Sequence, residues 1–255
     1  MNTMSWRLLA LVTAATFVAL PARADEVQVA VAANFAGPLG KIAEGFGAAT
    51  GHVLKISSGA TGKFYSQIRA GAPFEVLIAA DDETPKKLVD EGFAVAGSNF
   101  TYAIGKLVLW SAKPGFVDAE GKVLAGNGFA HLAIANPKIA PYGAAALEVL
   151  KARGLLDTAT PRLVTAESIA QAYQFVSTGN AELGFVALSQ VAVPGKPVLG
   201  SYWLVPSTLY RQIRQDAVLL KTAENSAAAR ALLSYLKSAP ARAVIESYGY
   251  GHEQP

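Results

Sequence analysis

Beyond residue 24 the apolar positions fall into short solid blocks, separated by stretches with helical spacing. Val27–Ala33 is the first block, a buried strand that ends at Asn34-Phe35. Leu39, Ile42 and Phe46 then share one face of a helix that stops near Gly51. Val53–Ile56 reads as a second strand and Glu75–Ala80 as a third, closed by Asp81-Asp82. One helix runs between them to about Ala70, and another follows over Thr84–Gly92 with Pro85 near its first turn. This β-α-β-α-β-α order predicts a mostly parallel sheet covered on both faces.

The rest of the chain repeats that logic. Thr101–Ala112 is strand-like and long enough to cross from one lobe to another. Leu132–Ala135 is a buried strand leading through Asn136-Pro137 to Pro141-Tyr142-Gly143 and a helix over Ala144–Lys151. Leu163-Val164 is a short strand, Ser168 caps a helix to about Val176, and Leu183–Leu188 is another buried strand. Ala217–Leu220 reads as the last strand, before helices at Ser226–Lys237 and Pro240–Ser247 that return to the first lobe.

The first residues read differently. Arg7 precedes the apolar run Leu8–Leu20, and Ala22-Arg23-Ala24 fits a small-x-small cleavage site. The run is shorter than the about 20 residues a membrane span needs. Residues 1–24 are therefore expected to be a cleaved secretion signal, leaving a soluble periplasmic protein, a monomer, that begins near Asp25. Losing the signal removes two arginines and takes the formal charge from +3 to +1. With no basic cluster and no interleaved aromatics, nucleic acid is excluded as a partner. The chain has no cysteine, so disulfides and thiolate chemistry are excluded too.

Candidate chemistry gathers at strand ends. In Ser57-Ser58-Gly59-Ala60-Thr61-Gly62-Lys63 a strand breaks into a loop and then a helix. Helix starts with small hydroxyl residues suit an anion, although the same residues also serve as plain caps and turns. It is not a Walker loop, because Ser57 stands where that motif needs its first Gly and Phe64 where it needs a hydroxyl. Four segments of this kind, Ala33-Asn34, Ala60-Thr61, Pro141-Tyr142 and Ser168-Ile169, would converge on a cleft between two lobes. The Tyr142 phenol would donate one hydrogen bond, and the useful group at Ile169 would be its main-chain N–H. Catalytic signals are weaker. His52, His131 and His252 have no metal-ligand spacing, and there is no Gly-x-Ser-x-Gly elbow. Asp81-Asp82-Glu83 could serve a secreted metal-dependent hydrolase, but as a helix start it is ordinary. Lys63, Lys106 and Arg211 are expected at the solvated surface.

The whole of the chain after the signal resembles the periplasmic molybdate-binding proteins of ABC transporters, the ModA type. The resemblance rests on Val31-Ala32-Ala33-Asn34-Phe35, Ile56–Gly62, Gly71-Ala72-Pro73-Phe74, Ala80-Asp81, Tyr102–Trp110, Asn136-Pro137 through Gly143, and Leu183–Ala187. It implies a two-lobed class II solute-binding fold, α/β in each lobe, that closes on a tetrahedral oxyanion held by neutral donors. Lobe 1 would comprise residues 25–104 and 208–255 and lobe 2 residues 105–207. The hinge would lie near Tyr102–Lys106, with a return crossing near Ser201–Ile213. By position the ligand donors would be Asn34, Thr61, Tyr142, the Ile169 N–H and the Ala33 N–H. Ala187 stands where some members carry a donor tyrosine, a role Tyr142 would take. Molybdenum would enter only inside the bound oxyanion, molybdate or tungstate. No cofactor or catalysis is implied, and the partner would be a membrane permease. The rival carrier reading is sulfate, thiosulfate or phosphate.

Overall fold

The computed structural model describes residues 24–253, so the expected signal segment lies outside the described residues except for Ala24. Ten strands form two sheets. The strands are β1 (Glu26–Ala32), β2 (Val53–Gly59), β3 (Val76–Ile78), β4 (Phe100–Gly105), β5 (Leu107–Ser111), β6 (Leu132–Ala135), β7 (Leu163–Ala166), β8 (Leu183–Ala187), β9 (Ser201–Leu204) and β10 (Ile213–Leu219). The helices are α1 (Ala36–Thr50), α2 (Thr61–Arg69), α3 (Glu83–Asp90), α4 (Pro141–Ala152), α5 (Leu156–Ala159), α6 (Ile169–Ser177), α7 (Leu188–Val191), α8 (Ala227–Leu236) and α9 (Ala239–Ser247).

The first sheet has the order β2-β1-β3-β10-β4, the second β7-β6-β8-β5-β9. Each has a parallel trio, as the alternating pattern predicts, completed by antiparallel pairing. In the first sheet the late strand β10 sits between β3 and β4. The Thr101–Ala112 run is divided at Lys106: β4 stays in the first sheet and β5 enters the second. The chain returns between β9 and β10.

Side-chain alternation explains the layers. Val27, Val29 and Val31 of β1 face a core with Phe35, Leu39, Phe46, Leu232 and Ile245. Ala30 faces the opposite core with Phe64, Ile68, Leu77, Leu88 and Val218. The second sheet's core gathers Leu107, Leu109, Leu132, Ile134, Phe185 and Val149, and it also includes Ala32, Ala60 and Ala80 of the first lobe. The two lobes are thus packed against each other through small residues.

Three local expectations need correction. β2 does not stop at Ile56: Ser57, Ser58 and Gly59 continue it, paired in register with Ala30, Val31 and Ala32. Main-chain pairing to β1 suffices there, so the polar side chains of this outer strand do not end it. Ala33 opens a short 3-10 turn, Ala33–Phe35, and is not the last strand residue. β10 starts at Ile213, well before Ala217, and β9 forms around Tyr202-Trp203.

Candidate functional site

The five residues singled out from the sequence meet in one place. Ala33, Asn34, Thr61, Tyr142 and Ile169 line a single cavity between the lobes, walled otherwise by Ala32, Gly59, Ala60, Ala80, Ala140 and Pro141. The cavity is small, with space on the scale of a single water molecule between the facing lobes. None of these lining residues carries a charge. Ala187 ends β8, buried outside this lining, and its N–H donates to Gln190 Oε1 at 3.0 Å.

Local structure places each group. Asn34 sits in the 3-10 turn that follows β1, and Thr61 opens α2 directly after Ala60. Pro141 and Tyr142 form the first turn of α4, where proline's missing N–H is harmless. Ser168 caps α6 by accepting from the Gln171 N–H, which leaves Ile169 as the first helical residue. Four helix or turn N-termini therefore border one small volume.

Hydrogen bonds decide what the side chains offer. The Ala80 N–H donates to Thr61 Oγ1 at 3.0 Å, so that hydroxyl keeps its own proton for another acceptor. Gln215 Nε2 donates to the Tyr142 hydroxyl at 3.0 Å, with the same effect. Burial, then the nearby Tyr250, pushes the Tyr142 hydroxyl well above its ordinary pKa, so it is a neutral donor at any physiological pH. Asn34 is more committed than its sequence position suggests. Its Nδ2 donates to Gln215 Oε1 at 2.8 Å and to the Tyr250 hydroxyl at 3.0 Å. Tyr250 in turn donates to the Asn34 carbonyl at 2.8 Å, and Ser189 Oγ donates to that same carbonyl at 2.9 Å.

Gln215, Tyr250 and Ser189 are supporting residues that sequence reasoning missed, and Tyr102, expected at the hinge, joins them. No local signal marks Gln215 in the chain: it lies in the polar triplet Arg214-Gln215-Asp216, ahead of the Ala217–Leu220 run read as the strand.

Several contacts cross the cleft and hold the lobes together. The Gly62 N–H donates to the Ile139 carbonyl at 2.9 Å, and Lys63 Nζ lies 3.4 Å from Glu167 Oε2 at the rim. Beside the cavity lies a larger open cleft of about 320 Å³ bordered by Asp81, Asp82, Glu83, Glu148, Arg211 and Arg214. Its charged groups have partners within the protein. Asp81 caps α3 by accepting from Thr84 N and Oγ1, and Arg211 pairs with Asp82 and Glu83. Among the described residues no cluster of His, Asp or Glu could hold a metal ion, and the acidic run serves as a cap and an ion-pair partner.

An uncharged cavity between two α/β lobes, bordered by helix N-termini, defines a two-lobed solute-binding protein. The chain belongs to the bacterial extracellular solute-binding protein family, whose model matches residues 27–251. It is 60% identical to the molybdate-binding protein ModA of Azotobacter vinelandii, over 97% of this chain and 99% of that one. Identity to the molybdate-binding protein ModA of Rhodobacter capsulatus is 55%, over 91% of each chain. A solved periplasmic molybdate-binding protein of Azotobacter vinelandii superposes with a TM-score of 0.87 at 49% identity, covering 89% of this chain and all of that one.

Proposed function

We propose that the protein captures molybdate, and tungstate with it, in the cavity between the lobes and delivers the anion to an ABC-transporter permease. The observation that carries this reading is the polarity of the cavity. Both hydroxyls that line it already accept a protein N–H, which leaves the proton of each to donate. Together with the N–H groups of Ala33, Thr61 and Ile169 they make a site rich in donors and free of charged side chains. Molybdate and tungstate are fully ionised at neutral pH and suit such a site, whereas phosphate keeps a proton that needs an acceptor. Short hydrogen bonds to an ionised oxygen and helix N-termini compensate a buried dianion without a lysine.

The same reading assigns residues 1–24 to an export signal, the periplasm as location and a monomeric working state. Among the described residues no helix is long and apolar enough to cross a membrane. Lobes of residues 25–104 with 208–255, and 105–207, would close by a hinge at the two crossings. Calorimetric titration of the mature chain with molybdate, and separately with sulfate and phosphate, tests the assignment. Tight one-to-one binding of molybdate with the other two weak is expected. Tight sulfate or phosphate binding with molybdate inert would overturn it in favour of another oxyanion carrier.

A further inference from the structure

We infer that Gln215 is a positioning residue that turns the Tyr142 hydroxyl into a donor toward the cavity and so sets selection for fully deprotonated oxyanions. This rests on the oxyanion reading above. Gln215 is completely buried at the middle of β10, in the first lobe, and Tyr142 belongs to the second. It lies outside the cavity lining and acts through the residues it holds.

Asn34 sets the direction of its amide, donating from Nδ2 to Gln215 Oε1 at 2.8 Å. The Tyr102 hydroxyl, with one proton for two acceptors, lies 2.9 Å from the same oxygen and also reaches the Ala79 carbonyl. With Oε1 claimed as the acceptor, Nε2 must face Tyr142. The phenol oxygen then accepts, and its single proton is left for the cavity. Gly105, at the end of β4, makes this approach possible: a methyl group there would collide with both the Tyr142 hydroxyl and Gln215 Nε2. The Ala80 N–H imposes the same polarity on Thr61 from the first lobe alone. Gln215 supplies the corresponding control across the cleft.

A carboxylate at this position can only accept. Tyr142 would turn its proton to it and present a lone pair to the cavity, where a protonated oxyanion gains a partner and molybdate loses one. Hydrogen arsenate carries the same charge as molybdate and one proton, so the pair separates wiring from charge. The experiment is calorimetry at pH 8 on the wild type, Gln215→Glu and Gln215→Met, with molybdate and arsenate in separate runs and the fold checked by circular dichroism. The molybdate-to-arsenate affinity ratio should fall about 10-fold or more in Gln215→Glu, the scale of one hydrogen bond to a charged group. It should fall by less in Gln215→Met, which is neutral and leaves Tyr142 undirected. The added charge alone would weaken both dianions alike, so an unchanged ratio in Gln215→Glu overturns the assignment. Where that variant does not fold, an unchanged ratio in Gln215→Met does so. A wild type that binds no oxyanion overturns the oxyanion reading itself, a result distinct from either.

Discussion

Gly62 stands at the point where the first lobe touches the main chain of the second, so a single methyl group there probes closure directly. A Cβ at Gly62 would lie 2.9 Å from Ile139 Cα and 3.0 Å from Ile139 Cβ. Carbon atoms prefer separations of about 3.5–4.0 Å, so the lobes must part by roughly 1 Å or strain by that much. The obstacle is backbone and cannot swing aside. Overpacking of this kind costs about 1–3 kcal/mol, and the 2.9 Å Gly62–Ile139 hydrogen bond stretches with it. Because the clash exists only when the lobes meet, the penalty falls on ligand capture. That corresponds to about 5- to 150-fold weaker binding. The unliganded fold should not suffer, since alanine is favoured over glycine in a helix by about 1 kcal/mol. Calorimetry with molybdate and thermal melting without it measure the two quantities for Gly62→Ala. Affinity within about twofold of wild type would refute closure through this contact.

Tyr142→Phe and Thr61→Ala should each weaken molybdate binding about 10- to 100-fold while circular dichroism stays unchanged, because each removes a donor and strands the N–H that held it. Unchanged affinity in both would discard the pocket. Gly105→Ala should weaken binding by pushing apart Tyr142 and Gln215, and calorimetry at wild-type affinity would show that their contact is dispensable. Lys63→Ala should change affinity by less than about threefold, as its pairing with Glu167 is exposed. Asp81 gives a pH signature: burial raises its carboxyl from the ordinary 3.8 to about 6. The folded protein therefore holds that proton more tightly, and stability falls as pH rises between about 4 and 6. Asp81→Asn should flatten the melting temperature across that window, and an unaltered profile would contradict the burial effect.

The α/β alternation was legible because buried parallel strands are solid apolar runs and their helices keep a regular spacing. That the candidate site residues share one cavity was legible for a related reason. Asn34, Thr61, Tyr142 and Ile169 each sit where a strand has just ended or a helix begins, and such places show in local sequence. What stayed hidden depends on contacts distant in the chain. Ser57–Gly59 extend β2 only because β1 offers its main chain. Gln215 is 181 residues from Asn34, and Tyr250 is 216 residues away, so no local pattern joins them. The direction in which Asn34 spends its amide protons was not readable without these partners.

The position of β10 has a consequence for the order in which the molecule comes together. It fills the place between β3 and β4, so the first sheet has a gap until residues 213–219 are present. The second sheet draws all its strands from the continuous stretch 107–204 and lacks nothing once that stretch exists. Assembly is therefore directional. The half containing Tyr142 and Ile169 can settle as a unit, while the half containing Asn34 and Thr61 waits for distant pairing and is the slower to form. The same strand brings Gln215 to Asn34 and Tyr142, so the pairing that completes the first sheet also joins the two sides of the candidate site.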